Sequence, residues 1–342
     1  MKQDRSDDVG GPRQPLLIVK DLRKHFVRKK GLLARNASPP VRAVDGISFS
    51  VTKGTTLGIV GESGCGKSTV ARLLIRLLDP DAGEIIYDGQ LVGSPRGISV
   101  RELRSRVQMV FQDSYASLNP RLPIEESIAF GPTADGVPAA EANARAIELL
   151  GKVGLDPRIF VHRYPHELSG GQRQRVNIAR ALALHPRLLI LDEAVSALDK
   201  SVEAQVLNLL TDLKAQYGLT YLFISHDLNV VRYISDQVMV MYLGEIVEIG
   251  PVAEIYDAPA HPYTQALLKS QPSMDPHHRT KEAPISGDPP NPISPPPGCR
   301  FHTRCPLAQP ICSREVPPLR PVGSDGRLAA CHLATSSPAV AA

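Results

Sequence analysis

The chain has 342 residues, enough for one large or two modest domains, each with its own core. Its 39 Lys and Arg against 35 Asp and Glu leave a net charge of +4, which for this length gives no argument for a nucleic-acid partner, and none is expected. No apolar run approaches the roughly 18 to 20 residues needed to cross a bilayer, and the polar first residues lack a signal-peptide core, so a cytosolic protein is expected.

Residues 1–15 carry mixed charge and are expected to form a flexible arm. Leu16-Leu17-Ile18-Val19 starts the fold as a strand. Leu22 and Phe26 follow, then a basic insertion over residues 28–40, with Arg28, Lys29, Lys30 and Arg35, that reads as a surface loop. Alternation over residues 41–51 predicts a second strand, and Lys53-Gly54 turns into a short apolar strand over residues 56–60. That strand runs into Gly61-Glu62-Ser63-Gly64-Cys65-Gly66-Lys67-Ser68, which fits G-x-x-x-x-G-K-[ST] and opens an amphipathic helix expected over residues 68–78. The glycines let successive backbone N–H groups turn inward around a phosphate, and the helix behind adds its positive dipole end. Lys67 is then placed to reach the β and γ phosphates of a nucleotide, and Ser68 to offer its hydroxyl to Mg²⁺. Ser63 and Thr69 belong to the same cradle, and Cys65 is read as a tolerated small residue within it.

Residues 83–89 predict a strand closed by an Asp-Gly turn, and residues 107–111 a buried strand ending at Gln112. Over residues 113–185 the periodicity becomes helical, with Ala142, Ala146, Leu149 and Leu150 on one face and a last helix over 170–184. This predicts a helical subdomain inserted into a nucleotide-binding core made of residues 16–112 and 186–270. Leu188-Leu189-Ile190-Leu191 is continuously apolar and ends in Asp192-Glu193. A helix over 202–216, a strand over 220–224 ending at Ser225-His226-Asp227 and a strand pair over 237–249 complete an α/β core with a largely parallel sheet. Seven prolines between Pro284 and Pro297 make residues 271–298 a stiff linker to a small extension over 299–342.

A phosphate loop shows only that a nucleotide phosphate can bind, so the second half of the site decides. Asp192 is placed to hold Mg²⁺, directly or through water, as the acidic partner of Ser68. Glu193 is suited to polarise an attacking water. The third element is Leu168-Ser169-Gly170-Gly171-Gln172 ahead of a helix, a second anion-binding end in one chain. This pentapeptide stands as the signature of ATP-binding-cassette (ABC) ATPases, and the resemblance covers nearly the whole chain.

The resemblance implies further roles, position by position. Phe26 matches the aromatic that stacks on adenine, the other reading being an ordinary core or edge Phe. Gln112 matches the residue that contacts Mg²⁺ and the attacking water, close to the membrane partner. Ser196-Ala197-Leu198-Asp199 matches the dimer-contact loop, with Asp199 at its end, and His226 the switch histidine on the γ-phosphate. It also implies a head-to-tail pair in which the phosphate loop of one cassette and the signature of the other enclose each ATP. Three stretches resemble the oligopeptide/dipeptide importers: residues 111–121, Asp192-Glu193-Ala194-Val195-Ser196-Ala197-Leu198-Asp199, and Glu254-Ile255-Tyr256 with His261-Pro262-Tyr263-Thr264. The implied function is ATP hydrolysis that energises peptide import at the cytoplasmic face of the bacterial membrane. The implied partners are a second, similar ATPase in a heterodimer, two permeases and an extracytoplasmic binding protein. The alternatives are an ATPase of a nickel or other small-solute importer, or an ABC ATPase outside transport.

Four of the five cysteines, Cys299, Cys305, Cys312 and Cys331, lie in the last 44 residues, with spacings of five, six and eighteen intervening residues and no C-x-x-C knuckle. Disulfides are not expected in a cytosolic chain. Four thiolates suit a [4Fe–4S] cluster or Zn²⁺, with His302 and His332 able to substitute in a zinc site. The alternative is four reduced cysteines in a small tail core. The resemblance leans to the cluster, expected to be structural and remote from ATP.

Overall fold

Strand patterns of two kinds sort this chain into two sheets. β1 (Leu17–Phe26) and β2 (Val41–Val51) mix buried with open positions, whereas β3 (Thr56–Val60) is buried throughout. β4 (Ala82–Tyr87) and β5 (Gln90–Leu91) return to the first kind. These strands, without β3, form an antiparallel sheet in the order β2-β1-β4-β5. β6 (Val107–Val110), β7 (Leu188–Asp192), β8 (Thr220–Ile224), β9 (Gln237–Tyr242), β10 (Glu245–Pro251), β11 (Arg320–Val322) and β12 (Arg327–Ala329) join β3 in the order β11-β12-β10-β9-β3-β8-β7-β6. From β9 to β6 all neighbours are parallel, as continuous apolar runs covered on both faces require.

The computed structural model describes residues 11, 14–27, 39–270, 287–288, 290–324 and 326–334. Most of the N-terminal arm, the basic insertion over 28–38 and residues 271–286 of the linker lie outside these. Beside the largely parallel sheet that the sequence predicts stands a separate antiparallel one. β1 also runs on to Phe26, well past Val19, because register shifts on either side of Leu22 absorb its polar interruptions.

The helices are α1 (Lys67–Leu74), α2 (Val100–Arg106), α3 (Ile124–Ala134), α4 (Ala139–Lys152), α5 (Pro157–Phe160), α6 (Gly170–Leu182), α7 (Lys200–Tyr217), α8 (Leu228–Ile234), α9 (Val252–Asp257) and α10 (Pro262–Lys269). α1 stops short of residue 78 because Arg76 takes a left-handed conformation (φ 57°) and the Leu77 N–H donates back to the Arg72 carbonyl, a C-terminal stop of the Schellman kind. Alternate residues of β7 and β8 feed two cores. Leu188, Ile190, Leu222 and Ile224 face the antiparallel sheet and α1, while Leu189, Leu191, Tyr221 and Phe223 join the core that runs into α3, α4 and α6.

The C-terminal extension is built into the main fold. β12 pairs antiparallel with β10, and Phe301 sits edge-on to Tyr242 and Tyr263 at centroid distances of 5.4 and 5.3 Å. The extension also reaches the phosphate loop. The Arg304 guanidinium reaches the Glu62 carboxylate in the phosphate loop at 2.9 Å.

Candidate functional site

Because β3, β6, β7 and β8 run parallel, the residues just past their C-terminal ends meet at one end of the sheet. A cleft of about 380 Å³ opens there. It is lined by Ser63, Gly64, Gly66, Lys67, Ser68, Thr69, Gln112, Glu193 and His226, with Val41 and Ala43 of β2 as a wall. Those two residues carry no sequence signal and were not anticipated.

The loop folds as its glycines dictate. Gly66 has φ 110°, and a Cβ there would collide with the Ala43 carbonyl. Cys65 is turned into the core at 3% exposure. The Lys67 ammonium donates to the carbonyls of Gly61 (2.7 Å) and Glu62 (3.0 Å), so the loop supplies acceptors to its own cation. The Ser68 hydroxyl donates to Asp192 Oδ1 at 2.9 Å. Burial pushes the Asp192 carboxyl above its ordinary range, and the Ser68 hydrogen bond opposes that. A buried cation, a hydroxyl and a carboxylate at a helix start match the groups that a nucleotide with Mg²⁺ needs.

Glu193 stands one residue beyond, at φ 49°, with its N–H donating to the Ile224 carbonyl at 2.9 Å. A positive φ is unusual for Glu and marks a backbone held by its surroundings. The Gln112 amide donates to Glu193 Oε2 at 2.8 Å, and His226 Nδ1 lies 3.5 Å from the same oxygen. Two side chains from two other strand ends therefore converge on the Glu193 carboxylate in the cleft. Such a group is equipped to accept a proton from water.

The structure does not bring every sequence candidate to this cleft. Phe26 is half-exposed and paired in register with Val41 at the margin of the site. Ser169, Gly170, Gly171 and Gln172 start α6 elsewhere. The Ser169 hydroxyl accepts from the Gln172 N–H (3.3 Å) while the Gln172 side chain accepts from the Ser169 N–H (2.9 Å), a reciprocal cap. A Cβ on Gly171 would strike Val202, so the starts of α6 and α7 are in contact. Asp199, at the start of α7, is likewise outside the cleft lining.

Cys299, Cys305, Cys312 and Cys331 are free thiols around one small pocket, together with His261, His302 and His332. Burial pushes the Cys299 thiol up to about 11 and raises Cys305 too. The space they enclose is about 10 Å³, room for one water. Among the described residues no three His, Cys, Asp or Glu side chains are grouped as ligands of a metal ion. The donor chemistry fits a thiolate-bound metal group, and the pocket would have to widen to take a cluster.

Comparison with known proteins shows the family. Residues 44–196 match the family model for the ABC transporter, and residues 247–312 that for the oligopeptide/dipeptide transporter C-terminal region. A probable peptide ABC transporter ATP-binding protein of Sinorhizobium fredii is 51% identical, over 96% of this chain and 92% of its own length. An oligopeptide transport ATP-binding protein of Bacillus subtilis is 50% identical, over 94% of this chain and 98% of its own. Among solved structures, a Clostridium perfringens part of the cbiONQ ABC transporter complex superposes with a TM-score of 0.61 at 27% identity, covering 72% of this chain and 92% of that one. The chain belongs to the ATP-binding proteins of ABC transporters, in the group that carries the oligopeptide/dipeptide transporter C-terminal region.

Proposed function

We propose that this chain is the ATP-hydrolysing subunit of a bacterial peptide importer, acting from the cytoplasmic face of the membrane. The observation that carries the hydrolytic reading is the Glu193 carboxylate, oriented by Gln112 at 2.8 Å beside the phosphate loop. The peptide reading is supported by the relatives' names and by the match over 247–312. Gly61, Ser63, Gly64, Gly66 and Thr69 present the loop to the phosphates, with Cys65 contributing backbone only. Lys67 leaves its own loop carbonyls for the phosphate oxygens. Ser68 and Asp192, with Gln112 alongside, hold Mg²⁺, which when bound neutralises charge on those oxygens. Glu193 takes the proton of the attacking water, and His226 contacts the γ-phosphate and holds Glu193 in place. Phe26 stacks on adenine beside Val41.

Ser169 to Gln172 and Asp199 close over the ATP of a second, similar cassette, since their own cleft has no place for them. An exposed groove of about 320 Å³ between core and helical subdomain, lined by Leu77, Phe111, Phe130, Arg180 and Leu184 among others, suits a permease helix. Phe130 is 64% exposed there, and a large exposed apolar side chain in a groove points to a docking surface. The proposed socket uses core residues such as Leu77 and Phe111 together with the helical subdomain. In the tail, Cys299, Cys305, Cys312 and Cys331 would hold a [4Fe–4S] cluster, with Zn²⁺ as the alternative; their lining one pocket supports this. Protein purified without oxygen is expected to be brown with about four irons per chain. One zinc would move the assignment, and no metal with an ordered tail would remove it.

The experiment for the main reading is to identify the chains that co-purify from membranes and to reconstitute them. Peptide-stimulated phosphate release is expected. Stimulation by a metal ion or another small solute instead would overturn the peptide assignment.

A further inference from the structure

Glu62 lies inside the phosphate loop, yet two of its anchors lie some 200 positions or more away in sequence, one in α10 and one in the C-terminal extension. Its N–H donates to the Tyr263 hydroxyl of α10 at 2.9 Å. Its carboxylate receives the Arg304 guanidinium at 2.9 Å. Its carbonyl accepts from Lys67 at 3.0 Å. Arg304 also donates to the Tyr242 hydroxyl at 3.2 Å, and Phe301 packs edge-on against both Tyr242 and Tyr263, so the two anchors share one buried aromatic platform. The Arg304 side chain is only 7% exposed and that of Glu62 22%, which makes this a sheltered pair rather than a screened surface one. Arg300 does a similar job at the loop's other flank. It donates to the Leu243 carbonyl and to Asp45 of β2, the strand whose Ala43 carbonyl abuts Gly66. Arg300 follows Cys299 directly, and Arg304 precedes Cys305 directly.

We propose that the cysteine-bearing extension is a brace on the phosphate loop, with Arg304, acting through Glu62, as a positioning residue for ATP. This rests on the ATP-site reading given above. Lys67 must exchange the Gly61 and Glu62 carbonyls for phosphate oxygens when nucleotide arrives. With Glu62 fixed at both its N–H and its carboxylate, the loop keeps its shape during that exchange. Without the brace, the loop must be ordered at the moment of binding, and that cost appears as lost affinity. The step of hydrolysis uses Glu193, which the brace does not touch, so ATP affinity moves and turnover at saturation does not.

The test is nucleotide titration of the full chain together with kcat and KM of the assembled ATPase. Arg304→Ala is expected to weaken ATP binding about tenfold with kcat within about twofold, and Arg304→Lys to recover part of the loss. Glu62→Gln should behave similarly, and the double variant should be no worse than the weaker single, because both remove one contact. Tyr263→Phe, which deletes a single hydroxyl, should weaken ATP binding by a smaller factor and decides the matter if Arg304→Ala fails to fold. Parental ATP affinity in Arg304→Ala or in Tyr263→Phe, or fully additive losses in the double variant, would overturn the brace and leave the ATP site standing. A parent chain that binds no ATP would remove both.

Discussion

Replacing Glu193 by Gln exchanges one carboxylate oxygen for an amide nitrogen and leaves the volume unchanged, so chemistry and folding can be separated. The Gln carbonyl still accepts from the Gln112 amide, now 2.8 Å from Glu193 Oε2. What is lost is the charge on that acceptor, a difference of about 1 kcal/mol between charge-assisted and neutral hydrogen bonds. Loss of a positioned general base costs ~10² to 10⁴ in rate, about 3 to 5 kcal/mol on the barrier. The effect on turnover thus exceeds the effect on stability several-fold. Phosphate release by the assembled complex at saturating ATP should fall at least ~100-fold. ATP affinity should be retained, and the ATP-bound pair of cassettes should accumulate as a closed dimer in size-exclusion chromatography. Turnover within tenfold of the parent would refute the role given to Glu193.

Three further outcomes are expected. Lys67→Ala removes the donor to the Gly61 and Glu62 carbonyls and to the phosphates, so equilibrium titration should show ATP binding at least about tenfold weaker; unchanged affinity would count against the phosphate loop. Phe130→Asp puts a charge in the exposed groove and should abolish co-purification with the permeases while ATP affinity stays within about twofold; retained assembly would dismiss the groove as the socket. Burial, with Arg145 adding to it, holds the His185 imidazole below its ordinary pKa, so the fold keeps it neutral where the unfolded chain takes up a proton. Stability from this source is complete above about pH 6.5 and falls as pH drops through that value toward the lowered folded one. His185→Asn, which also suits the local φ of 51°, should flatten the decline in melting temperature between about pH 7 and 5; parallel slopes in the two proteins would disprove it.

The sequence speaks most clearly where chemistry demands given residue types at adjacent backbone positions. Gly66, Lys67 and Ser68 are legible together because a strand, a tight turn and a helix start must follow one another there. Asp192 and Glu193 are legible because four apolar residues precede them. Contacts made across long separations leave no such trace: Glu62 and Arg304 are 242 positions apart, and neither carries a local pattern that names the other. Val41 and Ala43 line the cleft as ordinary members of an alternating strand. α3 continues through Gly131-Pro132 to Ala134, because Ile124, Ile128 and Ala129 are buried against the subdomain core. The signature at Ser169 is plain in sequence and silent within the single chain, because its helix end is already capped by its own side chains.

The pairing of β12 with β10 has a consequence for how the protein is made. A strand left at the border of a sheet offers unsatisfied backbone groups to any neighbouring chain and invites aggregation. On the far border β6 is only four residues long, which limits the exposed ladder. Toward the other border β10, seven residues long and buried, has part of its ladder covered by residues 327–330, with β11 outermost. During synthesis β10 leaves the ribosome well ahead of its cover. A nascent or truncated chain ending in the linker therefore carries an open β10 edge, which the later arrival of β12 covers.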